Sequence, residues 1–206
     1  MSDEQGFAYP AIPITQLYGD EHLTDGASPL DVTVLDFWRW SSSDLVGNVS
    51  RGVLAEYLVA RAVGATDAPR DPWAPYDVIT PEGIKVEVKS AAYIQAWNQR
   101  APSKISFMVR ATRSMTGDPV RDAEPFRRSD VWVLSLLHHV DQATLNPLDV
   151  SQWCFFVVPT WFLDQRVRSQ HSITLASLEA SPFGTRHSWR ELAGAIAEVG
   201  RSAPED

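Results

Sequence analysis

The chain has 206 residues, 44% of them hydrophobic, with eight tryptophans and one cysteine. That length fits one α/β domain with a decorated edge rather than two domains, and it is enough to bury a sizeable core. One cysteine excludes an intrachain disulfide, no apolar stretch nears the ~20 residues of a membrane helix, and no apolar leader core follows the acidic N-terminus. A soluble cytoplasmic protein with no membrane partner is the expectation.

Charge distribution matters more than its total. A net charge of −8 would ordinarily repel a polyphosphate. Yet residues 1–44 hold eight acids against Arg39 alone, while the remainder has eighteen acids and seventeen bases. The excess acidity is N-terminal, so the rest of the chain stays open to a nucleic-acid partner.

Residues 1 to about 28 contain Pro10, Pro13, Gly19 and Gly26 among many acids and read as an irregular arm. A short apolar helix is expected over 31–40, so that 1–42 form an acidic arm with one helix and 43–206 a single domain. Ser43 or Asp44 can cap the following turn. Asn48 or Ser50 can start the next helix, and Gly64 can end it. Residues 53–63 are apolar almost all round a helical wheel, which marks a buried helix. Glu56 stands in that apolar surround, away from Arg61. Burying an unpaired carboxylate is costly. Glu56 must therefore be protonated, reach solvent, pair with a distant arginine, or face a metal.

Residues 76–89 read Tyr-Asp-Val-Ile-Thr-Pro-Glu-Gly-Ile-Lys-Val-Glu-Val-Lys. Val78 and Ile79 form one short strand, Ile84, Val86 and Val88 the core face of the next, and Pro81-Glu82-Gly83 the turn. Side chains alternate along a strand, so Lys85, Glu87 and Lys89 share the opposite face. An antiparallel return brings Asp77 close to Glu87. Two carboxylates held together call for a cation, and hard oxygen donors suit Mg²⁺ or Mn²⁺. Lys89 then stands where it can orient a water or stabilise a phosphoryl group. Only three lysines occur in the chain, and two of them, Lys85 and Lys89, flank Glu87. Lys85 reads as an outer-face residue or a phosphate contact.

The stretch from Ser90 begins Ser-Ala-Ala, which permits close approach of backbone to a substrate or metal. Tyr93 and Trp97 can stack on a base or pack at the rim. Across 98–128, Arg100, Lys104, Arg110, Arg113, Arg121, Arg127 and Arg128 face only Asp118, Asp122 and Glu124. Arg100, Lys104, Arg110 and Arg113 are thus candidate nucleic-acid contacts. Strands are expected over 105–109, 131–137 and 154–158, the last two apolar on both faces and so central to a covered sheet. Cys154 reads as a buried strand residue in a reducing compartment. His138 and His139 lack a cysteine or carboxylate at ligand spacing, so they read as loop histidines. Ser188-Trp189-Arg190-Glu191 is a capping box that opens a C-terminal helix, with Gly200 as its stop. No Gly-rich phosphate loop and no Gly-x-Ser-x-Gly elbow occurs, so a hydrolase with a nucleophilic Ser or Cys has no support.

Asp77, nine intervening residues, then Glu87-Val88-Lys89, with the helical Glu56 upstream, resembles the PD-(D/E)xK nuclease superfamily. Ser43-Asp44-Leu45, Asn48, residues 51–56 and residues 89–97 are similar to a group of uncharacterised bacterial proteins placed there. Pro75 lies one place further from Asp77 than the superfamily name implies. The resemblance implies a restriction-endonuclease-like fold: an α/β domain with a central mixed sheet flanked by helices on an α-β-β-β-α-β core. It further implies a Mg²⁺- or Mn²⁺-dependent nuclease acting on DNA, in restriction or defence. Asp77, Glu87 and the Val88 carbonyl would bind the metal, with Glu56 completing or supporting the site. Lys89 would be catalytic, Gln95 and Ser90 would buttress the site, and a homodimer is compatible. The alternative is a nucleic-acid-binding or assembly protein that keeps the fold without turnover.

Overall fold

The computed structural model describes residues 9, 11–112, 125–166 and 171–202. The N-terminal region is more regular than its composition suggests. Strands β1 (His22–Asp25) and β2 (Ser28–Thr33) pair antiparallel across Gly26, whose φ of +60° suits glycine at a tight reversal. The arm expected to be irregular through residue 28 is irregular over residues 11–21, but the hairpin begins at His22. Because residues 31–33 belong to β2, helix α1 (Val34–Ser42) starts three residues later than expected. Its start is fixed by a capping box in which the Thr33 N–H donates to Asp36 Oδ2 and the Asp36 N–H donates to Thr33 Oγ1.

Helix α2 (Asn48–Ala62) takes Gly47 as its N-cap, without a side-chain cap. Asp44 does not cap it directly; its Oδ1 accepts the N–H groups of Val46 and Gly47 and closes the preceding turn. Gly64, at φ +72°, ends the helix as expected. Burial all round is corrected. Ala55, Leu58 and Val59 face the core, but Val53 and Tyr57 are exposed. An apolar residue on a wheel does not guarantee a covering element.

The central sheet has four strands in the order β3 (Val78–Ile79), β4 (Lys85–Ala92), β6 (Val131–Leu137), β7 (Trp153–Pro159). Pairing is antiparallel for β3 with β4, parallel for β4 with β6 and antiparallel for β6 with β7. This is a mixed α/β sheet. Residues 131–137 and 153–159 are buried throughout, because both faces are covered. On one face Val86, Val88, Val133 and Phe155 meet α2 and helix α5 (Leu192–Arg201). On the other, Trp132, Leu134, Phe156 and Val158 meet a second small sheet, β5 (Ser106–Met108) with β8 (Ser172–Thr174), and helices α3 (Thr160–Arg166) and α4 (Leu175–Glu179). Cys154 is a buried strand residue, and burial raises its thiol to about 11.

The C-terminal capping box is displaced. The Ser188 N–H and hydroxyl both donate to Glu191 Oε2 at 2.7 Å, but this contact closes a turn ahead of α5, whose N-cap is Glu191. Nor does Gly200 stop the helix. It lies inside α5, where a Cβ would meet Ile84 Cδ1 at 2.7 Å, so glycine is there to let helix and hairpin close. Among the described residues no helix is long and apolar enough to cross a membrane.

Candidate active site

The site is built on the edge of β4. Gly83, at φ +88°, and the Thr80 N–H to Ile84 C=O hydrogen bond of 2.9 Å tighten the turn that returns the chain. The register then pairs Val78 with Val86. One residue earlier, the Asp77 N–H donates to the Val86 carbonyl at 3.0 Å. Beyond that point no β3 backbone is left to pair with β4, and the Val88 N–H donates instead to Asp77 Oδ2 at 2.7 Å. The carboxylate therefore takes a ladder position at the sheet edge. A residue in a strand sends its N–H and C=O the same way, so the Val88 carbonyl lies on this edge too.

Glu87 and Lys89 project from β4 toward Trp132 and Leu134 on the neighbouring strand. Lys89 Nζ donates to Glu87 Oε1 at 2.6 Å and lies 5.8 Å from the centre of the Trp132 ring. Arg127 lies 5.9 Å from the same ring. The Glu87 and Lys89 side chains are half-buried. Burial raises the Asp77 carboxyl to about 6, and the Glu87 charge pushes the same way. The Val88 N–H and Lys89 oppose them, and Glu56 adds a smaller upward push.

Glu56 has found a cation outside its own helix. Arg70 Nε and Nη2 engage its two oxygens, and the Glu56 side chain is only 14% exposed. Bonding to Glu56 raises Arg70 above its ordinary range, and the Asp77 charge adds to that. Glu56, Arg70 and Asp77 line one cavity of about 400 Å³ between α2 and the chain leading into β3. The structure thus gathers Asp77, Glu87 and Lys89 about the Val88 peptide, and it holds Glu56 next to them on Arg70. Among the described residues no three His, Cys, Asp or Glu side chains are grouped to hold a metal. Two mutually repelling carboxylates beside a main-chain carbonyl are nevertheless a hard-oxygen donor set that fits Mg²⁺ or Mn²⁺.

The other predicted residues distribute differently. Ser90 and Gln95 sit toward the C-terminal end of β4, where Gln95 is buried and accepts from Arg51 Nη1 at 3.2 Å. Arg100 and Arg110 are exposed, Lys104 borders a polar cavity beside Gln95, and Arg113 lies outside the described residues. Arg127 and Arg128 are engaged by the protein itself, Arg127 with the Val109 carbonyl and Asp164, Arg128 with the Thr112 carbonyl. His139 bonds Thr144, as suits a loop residue. Sequence reasoning missed Arg70 and Trp132. The prolines flanking Arg70, Pro69 and Pro72, were a usable signal, because they restrict the loop that carries it back to α2.

Fold and site together define a mixed α/β protein with an acidic, lysine-bearing site at a sheet edge. The chain belongs to the bacteriophage T4 endonuclease IV family, a family of nucleases whose model matches residues 34–173, from the start of α1 into β8. No curated protein matches the chain.

Proposed function

We propose that the protein is a Mg²⁺- or Mn²⁺-dependent nuclease that hydrolyses DNA, of PD-(D/E)xK type on a restriction-endonuclease-like core, with a role in restriction or defence. Family membership supports nuclease chemistry, and the mixed sheet backed by α2 is compatible with such a core. The observation that carries the assignment of residues is the hydrogen bond from the Val88 N–H to Asp77 Oδ2. It fixes Asp77 against the peptide between Glu87 and Lys89.

In this reading Asp77, Glu87 and the Val88 carbonyl hold the cation, which when bound supplies charge neutralisation at the phosphoryl oxygens. Glu56 supports the site from α2, with Arg70 holding it beside Asp77. Lys89 orients the attacking water, and its ammonium balances charge that builds on the phosphoryl oxygens. The water oxygen bonds to phosphorus as the opposite P–O bond breaks; the attacking water releases a proton to solvent, and the departing oxygen takes one from it. The Trp132 ring limits how far Lys89 can swing, since ring and ammonium attract each other.

The test is cleavage of plasmid, single-stranded DNA and RNA with Mg²⁺ or Mn²⁺ by the wild type, Lys89→Ala and Asp77→Ala. Cleavage by the wild type that both substitutions abolish is expected. Equal cleavage by all three proteins overturns the residue assignment. Binding without cleavage by the wild type favours a nucleic-acid-binding protein without turnover.

A further inference from the structure

Arg51, in the first turns of α2, is 4% exposed and has no carboxylate in ion-pair reach among the described residues. Its Nη1 donates to the Val46 carbonyl at 2.8 Å and to Gln95 Oε1 at 3.2 Å, and its Nη2 to Asn48 Oδ1 at 2.6 Å. All three acceptors are neutral. Among the described residues the Arg51 Nε–H has no partner. Asp44 acts on Arg51 only through space, and Asp44 Oδ1 already accepts two backbone N–H groups. A buried cation with a spare donor is costly unless an anion completes it.

The surroundings are made for one. Arg51 borders a cavity of about 320 Å³ at the C-terminal end of β4, with Ser90, Gln95, Ser103 and Lys104 among its walls and no carboxylate. Ser103 Oγ accepts from Gln95 Nε2 at 3.3 Å and from Gln99 Nε2 at 3.0 Å, which leaves its own hydroxyl proton to donate elsewhere. Gln95 is in turn locked by a 2.7 Å bond from Nε2 to the Ala92 carbonyl. The walls thus offer the Arg51 side chain, serine hydroxyls and the Lys104 ammonium. The lining carries two positive charges and no carboxylate, and the amide oxygens of Asn48 and Gln95 are turned to Arg51.

We propose that this cavity binds a phosphate group, and that in action it seats a backbone phosphodiester of the DNA strand being cut, a short way from the bond at Asp77 and Glu87. Ser90 is one residue beyond Lys89 on the same strand, and residues of a strand advance about 3.3 Å each. The cavity and the reaction site therefore share one rigid element. The anion site stands on the Arg51 geometry alone; its assignment to the substrate strand rests on the nuclease reading.

Two measurements separate these claims. In the first, inorganic phosphate is titrated without divalent metal while the Arg51 Nε–H resonance is followed by NMR, with chloride as the control. A saturable shift that Lys104→Gln weakens several-fold is expected; Lys104 is exposed, so that variant should fold, and Arg51→Lys is the second variant. Absence of a saturable shift overturns the anion site. In the second, metal-free binding of a labelled oligonucleotide is measured across salt concentrations for wild type, Lys104→Gln and, as control, Arg190→Gln. Loss of one phosphate contact should lower the slope of log K against log salt by about 0.7 on single strands or 0.9 on duplex. Phosphate binding with an unchanged DNA slope in Lys104→Gln assigns the site to free phosphate and overturns the substrate claim. A wild type that neither binds nor cuts nucleic acid removes the nuclease reading, and the phosphate titration still decides the site.

Discussion

At Asp77, burial and the Glu87 charge outweigh the Val88 N–H and Lys89, and the carboxyl rises from 3.8 to about 6. Its pKa is higher folded than unfolded, so its contribution to stability is complete below about pH 3.8 and is lost as pH rises through about 6. The difference corresponds to roughly 3 kcal/mol at most. Asp77→Asn keeps an oxygen for the Val88 N–H and removes the charge. Urea unfolding should find it more stable than wild type at pH 8, with a smaller change between pH 4 and pH 8; a less stable variant at pH 8 refutes the account. Mg²⁺ should raise the melting temperature of the wild type more at pH 8 than at pH 5 and leave Asp77→Asn nearly unmoved. For Lys89→Ala, single-turnover cleavage should fall on the order of 100-fold or more, while metal-free DNA affinity stays close to wild type. The approach of Asp77, Glu87 and Lys89 was legible in the sequence, because strand alternation and a short turn leave little freedom. The hold on Glu56 was not. Arg70 is 14 residues away, and no local period ties a loop arginine to a helix face.

Among the elements, β6 and β7 were readable because runs of seven residues, apolar but for Ser135 in β6, bury on both faces. β1 and β2 were not, since nearly every residue in them is exposed and so no buried face marks them. β8 has three residues and only Ile173 buried, too little signal to separate from a loop. The limits of α5 were misjudged for a related reason: a glycine can end a helix or make room for a neighbour, and sequence does not say which. Gly194 and Gly200 both lie inside α5 and differ in whether a neighbour needs the space. A Cβ at Gly194 meets nothing within 4 Å, whereas at Gly200 it meets Ile84. Gly194→Ala should stabilise the protein by about 0.5–1 kcal/mol. In Gly200→Ala the overpacking cost, typically about 1–3 kcal/mol, should cancel or exceed that gain. Chemical denaturation of both variants checks the pair, and equal stabilisation by both contradicts the packing role of Gly200.

For the molecule as a whole, charge and edges govern encounters with other chains. The hairpin of β1 and β2 lies within the acidic first 44 residues, whereas the charges of the remaining residues nearly balance. Exposed Asp25 and Asp31 should therefore slow DNA association at low ionic strength. The double variant Asp25→Asn, Asp31→Asn should associate faster in stopped-flow at low salt, and the difference should vanish where salt screens surface charge. β3 has two residues against the eight of β4, so much of the outer rim of β4 meets no strand. Along that rim the Asp77 carboxylate occupies the Val88 N–H and the Gln95 amide the Ala92 carbonyl. Side chains thus stopper a seam that would otherwise template an extended peptide. The residue assigned to cation binding doubles as a guard against misassembly. Asp77→Ala should accordingly form larger species by light scattering where Asp77→Asn does not.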